Sequence, residues 1–134
     1  MGIRSLEARF GATPSQITVA RRAVRDFARA HGLEASLLSD IELAVGEALN
    51  NAAEHGNKER GHVLVSCTID DHRLIIEVQD DGPGFLPENI AAPNSADPAL
   101  RGFGLYLMRT LMDDVSFADR GRKVRLMKRL PESA

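Results

Sequence analysis

The chain has 134 residues and an apolar content of 43%, which suits one domain around one hydrophobic core and is too apolar for a disordered segment. A formal net charge of -2 gives no electrostatic ground for binding nucleic acid. The single cysteine, Cys67, rules out an intramolecular disulfide, and in its alternating apolar run it reads as a small core residue rather than a nucleophile.

With no Trp and one Tyr, the core must be aliphatic, with Phe filling its larger gaps. No apolar run of about 18 residues is present to cross a membrane, and no N-terminal apolar stretch is long enough for export. The cytoplasm is the expected compartment.

In chain order, Leu6, Ala8 and Phe10 alternate with Glu7 and Arg9 as a short half-buried strand does. Thr13, Pro14 and Gln16 then form a helix start, with a side-chain cap, a proline at the first helical position and the last residue of a capping box. The apolar positions Ile17, Val19, Ala20, Val24, Phe27 and Ala28 carry that helix towards Gly32. A second helix is expected from about Ser36 to Glu54, with Leu37, Leu38, Ile41, Ala44, Val45, Ala48, Leu49 and Ala52 on its buried face.

A hairpin follows, in which Val63, Val65, Cys67 and Ile69 alternate with Leu64, Ser66 and Thr68. Asp70, Asp71 and His72 turn the chain, and Leu74 to Gln79 return. From Asp81 to Arg101 the chain reads as loop, punctuated by Pro83, Pro87, Pro93 and Pro98; at roughly 20 residues it is long for a small domain, a length that usually marks function. A third helix is expected over Gly102 to Met112, with closing strands near Val115–Phe117 and Lys123–Lys128. Nothing suggests a second domain, so residues 1–134 are read as one unit. The fold class is an α/β (α+β) two-layer sandwich, a mixed, largely antiparallel sheet covered by helices on one face.

Chemistry is concentrated in three runs. Gly46 to His55 reads GEALNNAAEH, and residues four apart on a helix are offset by only about 40°, so Glu47, Asn51 and His55 share one strip. A carboxylate and an amide oxygen there could serve a magnesium ion or its waters; the strip could equally face solvent near a helix end. Gln79 to Phe85 reads QDDGPGF, where Gly82 and Gly84 let the backbone approach a ligand or take positive φ, and Asp80 can accept from a base amino group or cap the turn. Arg101 to Met108 reads RGFGLYLM, in which Gly102 and Gly104 open a helix whose bare amides could cradle phosphate. This is no P-loop, since Leu105 and Tyr106 stand where its lysine and hydroxyl would be.

Taken in order, these runs resemble the ATP-binding family shared by histidine-kinase catalytic domains, gyrase-type ATPases, Hsp90 and MutL. Within it the chain is most similar to the free-standing anti-sigma-factor serine kinases of bacterial partner-switching systems. That resemblance rests on GEALNNAAEHG, on RGFGLYLMRTLMDDVSF, and on the strand and helix ahead of the first run. It implies a Bergerat-type ATP-binding fold, with ATP and Mg2+ as cofactors and an ATP lid at about 86–101. It assigns Glu47 as general base, Asn51 as magnesium ligand, and Asp80 as acceptor of the adenine amino group. Gly82 and Gly84 would leave room beside the base, and Gly102 and Gly104 would give amides to the phosphates. Asn50, Phe103 and Leu105 complete the implied nucleotide-binding set. His55 is either a helix-end residue or a phosphate-side contact, and Arg101 could reach the γ-phosphate or a partner.

The same resemblance implies partners: a small anti-anti-sigma antagonist, phosphorylated on serine or threonine, a sigma factor or another output protein, and a second copy held through about Ile3 to Ala30. Two features depart from the family. Gly121–Arg122–Lys123 stands where relatives often carry Gly-Thr beside the adenine-binding Asp, and Leu100 stands where a lid arginine can lie. A catalytically weak, ATP-gated binding module is therefore the alternative, and a different output partner a third reading. The basic run Arg120, Arg122, Lys123, Arg125, Lys128 and Arg129 alternates with Val124, Leu126 and Leu130 and reads as a solvated sheet edge or protein-docking face, with no direct nucleic-acid or membrane partner.

Overall fold

The computed structural model describes residues 2–55, 60–82 and 101–131. Strand β1 covers Arg4–Gly11, helix α1 Pro14–Arg29, helix α2 Ala35–His55, and the hairpin strands β2 and β3 His62–Ile69 and Arg73–Asp80. Helix α3 covers Arg101–Leu111, strand β4 Asp114–Ala118, a 3-10 turn Asp119–Gly121, and strand β5 Lys123–Arg129.

The expected start of α1 is present: the Thr13 side chain accepts from the Gln16 amide at 3.4 Å and Pro14 is the first helical residue. The buried face of α1 is Ile17, Ala20, Val24 and Ala28, one residue per helical turn. Val19, expected in that face, is 47% exposed, because two positions on from Ile17 a helix has turned about 200°. On α2 the expected stripe holds: Ile41, Ala44, Val45, Ala48, Leu49 and Ala52 are buried, with Leu37 and Leu38 packed at its edge.

The sheet runs β1-β2-β3-β5-β4, and all four pairings are antiparallel. The expectation left room for parallel pairing. The crossover through α3 does leave β3 and β4 pointing the same way, but β5 inserts between them, so each is antiparallel to its neighbour. Strand alternation then places Val63, Val65, Cys67, Leu74, Ile76, Val78, Val124 and Leu126 on the helix side. Burial of each larger aliphatic contributes about 1.5–3 kcal/mol. Helix α2 lies between α1 and α3 and crosses over β3, so its C-terminal half comes over the strand that ends at Asp80.

The hairpin turn closes on Asp70, whose Oδ1 accepts from the amides of His72 and Arg73 at 2.8 and 2.9 Å. Much of the basic run is occupied within the fold. Lys128 Nζ donates to the Leu111 carbonyl at the C-terminus of α3, where a cation suits the helix dipole. Lys123 lies 3.9 Å from Glu77 on the neighbouring strand.

Candidate functional site

Two adjacent aspartates end β3, and the fold treats them differently. Asp81 stays exposed and accepts from the His62 amide at 3.2 Å. Asp80 is 5% exposed, the one buried charged side chain among the described residues, and its Oδ1 accepts from the Gly82 amide at 2.8 Å. Strand alternation explains the difference: Asp80 continues the inward series Leu74, Ile76, Val78. A carboxylate in an aliphatic series is costly unless it has polar partners. Its position here is a narrow slot whose walls include Ala52, Asn51, Met108, Phe117, Gly121 and Arg122.

The second element is the strip on α2. Glu47 and Asn51 are half-buried and face the start of α3 at Gly104. A Cβ added to Gly104 would lie 2.9 Å from Glu47 Oε2 and 3.9 Å from Asn51 Nδ2. Glycine at 104 lets the start of α3 come close to this strip, and a side chain there would push the carboxylate end of Glu47 aside. Asn51 also lines the Asp80 slot, so it joins the two halves of the site. Its Nδ2 is buried with no hydrogen-bond partner, polar capacity that a native fold seldom leaves unused without a ligand or water.

The remaining sequence candidates fall in several places. Gly82 caps onto Asp80 as described, and Gly84 lies outside the described residues, as does 86–100 of the expected lid. Arg101 and Gly102 form the first turn of α3. Leu105 is buried in the core, whereas Phe103 is 40% exposed and tilts against Tyr106 with ring centroids 6.1 Å apart. His55 ends α2. Asn50 is not brought to the slot: one residue from Asn51 means about 100° of rotation, and its exposed side chain lines a separate groove with Arg21 and Gly46.

The residue that sequence reasoning did not place in the site as a contact is Arg122. It was visible only as a missing hydroxyl; its side chain in fact forms part of the slot wall and donates to the Gly82 carbonyl at 3.3 Å. Cys67 takes no part. It is fully buried, and loss of solvent pushes its thiol up to about 12, far from a nucleophile's range.

An acceptor carboxylate in a slot, an acid and an amide beside it, and a glycine-opened helix start form one continuous site at one end of the sheet. The family model of the histidine kinase-like ATPase domain matches residues 10–128. The serine-protein kinase RsbW of Listeria monocytogenes is 30% identical over 132 residues, covering 90% of this chain and 84% of that protein. The anti-sigma F factor of Bacillus subtilis is 35% identical over 105 residues, covering 72% of each. Among solved structures, the RsbU and RsbW domains of a Mycobacterium tuberculosis protein share the fold, with a TM-score of 0.66 at 19% identity over 96% of this chain and 34% of that one. No helix among the described residues is long and apolar enough to cross a membrane. The chain belongs to the histidine kinase-like ATPase domain family.

Proposed function

We propose that this chain is an ATP-dependent protein serine/threonine kinase and anti-sigma factor, which phosphorylates a small anti-anti-sigma antagonist and sequesters a sigma factor or another output partner. The observation that carries the reading is the approach of Glu47 Oε2 and Asn51 to the glycine-opened start of α3. Phosphoryl transfer depends mostly on position and charge compensation, and an acid, an amide and bare helix-start amides supply both. The names of the two relatives, a serine-protein kinase and an anti-sigma F factor, support the transfer and the sequestration in turn.

In this reading Asp80 accepts from the adenine amino group, Gly82 and Gly84 leave room beside the base, and Gly102 and Gly104 give amides to the phosphates. Asn51 would hold Mg2+ through its side-chain oxygen, since magnesium in a nucleotide site needs only one or two protein oxygens besides phosphate, and its buried Nδ2, a donor with no partner, would be left to meet a phosphate oxygen or a water. The ion, when bound, neutralises charge on the phosphate oxygens. Glu47 takes the proton of the incoming serine hydroxyl as its Oγ bonds to the γ-phosphorus; the bond to the bridging oxygen breaks and ADP leaves. The protein works in the cytoplasm as a homodimer through β1 and α1, a reading supported by β1 being an edge strand eight residues long.

A second reading, a catalytically weak ATP-gated binding regulator, is favoured by one observation, the Arg122 side chain in the slot wall. Intact-protein mass separates the two. A small antagonist-type protein incubated with this chain and Mg-ATP should gain one phosphoryl group, and the gain should vanish without magnesium and with Glu47→Gln. No gain, despite ATP binding and a stable complex with that antagonist, would replace the kinase by the binding regulator.

A further inference from the structure

The strand β4 runs into Asp119, Arg120 and Gly121 with φ of 51°, 58° and 82°, three consecutive left-handed residues of which two are not glycine. Such a turn persists only where its surroundings hold it. Arg122 is what holds it. The Arg122 amide donates to the Asp119 carbonyl at 3.1 Å, Nε donates to the same oxygen at 3.2 Å, and Nη2 meets Asp119 Oδ1 at 3.3 Å. The fourth nitrogen, Nη1, crosses the slot and donates to the Gly82 carbonyl at 3.3 Å.

Arg122 therefore ties together the two walls between which a base would lie, the β3 end at Asp80–Gly82 and the turn before β5. The room left between those walls is about 10 Å³, enough for about one water and too little for a purine. Something in the lining must move. Val78, Val124 and Ala48 are fixed in the core and Met108 is fully buried. Asn51, Phe117 and Arg122 are the partly exposed side chains of the described lining, and of these Arg122, 29% exposed, is the one that spans to the opposite wall, through side-chain bonds that at 3.2–3.3 Å are long for their kind.

We infer that Arg122 is a positioning residue that sets nucleotide affinity in this chain: its guanidinium latches the slot shut between Gly82 and Asp119, and a base enters only when that latch has swung out. The inference rests on the slot being the nucleotide site. The latched form competes with the binding-competent one, so the apparent affinity and association rate are both lowered by the fraction of protein that is latched. Loss of the hydrogen bonds to Gly82 and Asp119 raises both. Asp119 gives the sharper prediction, because it does not line the slot, yet it anchors the side chain that does.

The test is stopped-flow association of a fluorescent N-methylanthraniloyl ATP with magnesium, on the parent chain, Arg122→Thr and Asp119→Gly. Glycine suits the φ of 51° at position 119 and removes the carboxymethyl side chain while keeping the carbonyl that Arg122 also bonds, so this variant keeps the test open where Arg122→Thr fails to fold. Both variants should associate about three- to tenfold faster than the parent, the size expected for one or two such bonds. Equal or slower association by Asp119→Gly, with binding still abolished by Asp80→Asn, would overturn the latch and leave the nucleotide site standing. Binding that ignores Asp80→Asn would overturn both.

Discussion

Two aspartates flank β3, one in the turn before it and one at its end, and the fold treats them differently. Asp70 sits at the hairpin turn, where the His72 amide first and the Arg73 amide second hold its carboxyl below the usual carboxylate range. Asp80 sits at the other end, and its Oδ1 accepts from the Gly82 amide at 2.8 Å. Each caps a turn, but only Asp80 is buried, at 5% exposure, in a slot whose aliphatic and aromatic walls are joined by Asn51 and Arg122. Turn closure does not require that burial, since Asp70 closes its turn at the surface. A buried carboxylate is costly unless partners hold it, which makes Asp80, and not Asp70, the candidate for a ligand contact.

The largest effect that would sharpen this contrast lies beside Asp80. Glu47→Gln should lower phosphoryl transfer about 10²–10⁴-fold in a single-turnover assay while leaving Mg-ATP affinity near that of the parent. Equal transfer rates would remove Glu47 as the base. Next, Asp80→Asn should weaken Mg-ATP binding about 10–100-fold by calorimetry, the worth of one hydrogen bond to a charged group, with little change in the unfolding midpoint. Gly104→Ala should cost about tenfold in transfer, because the new Cβ would lie 2.9 Å from Glu47 Oε2 and the carboxylate must give way. A larger loss in binding than in transfer would show that Gly104 serves the phosphates first.

The smallest effect belongs to Asp70. Because its folded pKa is lowered, its contribution to stability is present above the ordinary aspartate value and is lost as pH falls through the lowered one. Asp70→Asn, which cannot titrate, should therefore unfold slightly earlier than the parent at neutral pH, and the gap should close in acid. Its nucleotide affinity should be unchanged. A gap that widened as pH fell would mean that the turn amides do not favour the charged form.

What the sequence made legible follows from how local each cause is. The apolar stripe of α2 and the Thr13 cap depend on residues within a few turns, and both stand where periodicity put them. The hairpin was readable for the same reason. The insertion of β5 between β3 and β4 was not, because it depends on pairings between distant strands, from Gln79 with Lys123 to Arg73 with Arg129, that no local pattern encodes.

At the site, Asp80, Asn51 and Glu47 were readable as polar residues set in apolar surroundings. Asn50 was read into the nucleotide-binding set beside Asn51, yet faces the Arg21 groove, since a single helical step changes the face. Arg122 was legible only as a departure. Its role depends on the left-handed turn at Asp119 and Arg120, and two non-glycine residues in that conformation leave no mark in composition.

The most direct measurement of where the nucleotide sits is an amide chemical-shift titration of isotope-labelled protein with Mg-ATP. The expected shifts gather at Asn51, at Asp80 to Gly82, at Gly104 and at Gly121–Arg122, while Asp70 to Arg73 stay silent. Shifts centred on the hairpin turn or on the Arg21 groove, with Asp80 and Gly104 unmoved, would contradict the assignment of this end of the sheet as the ATP site.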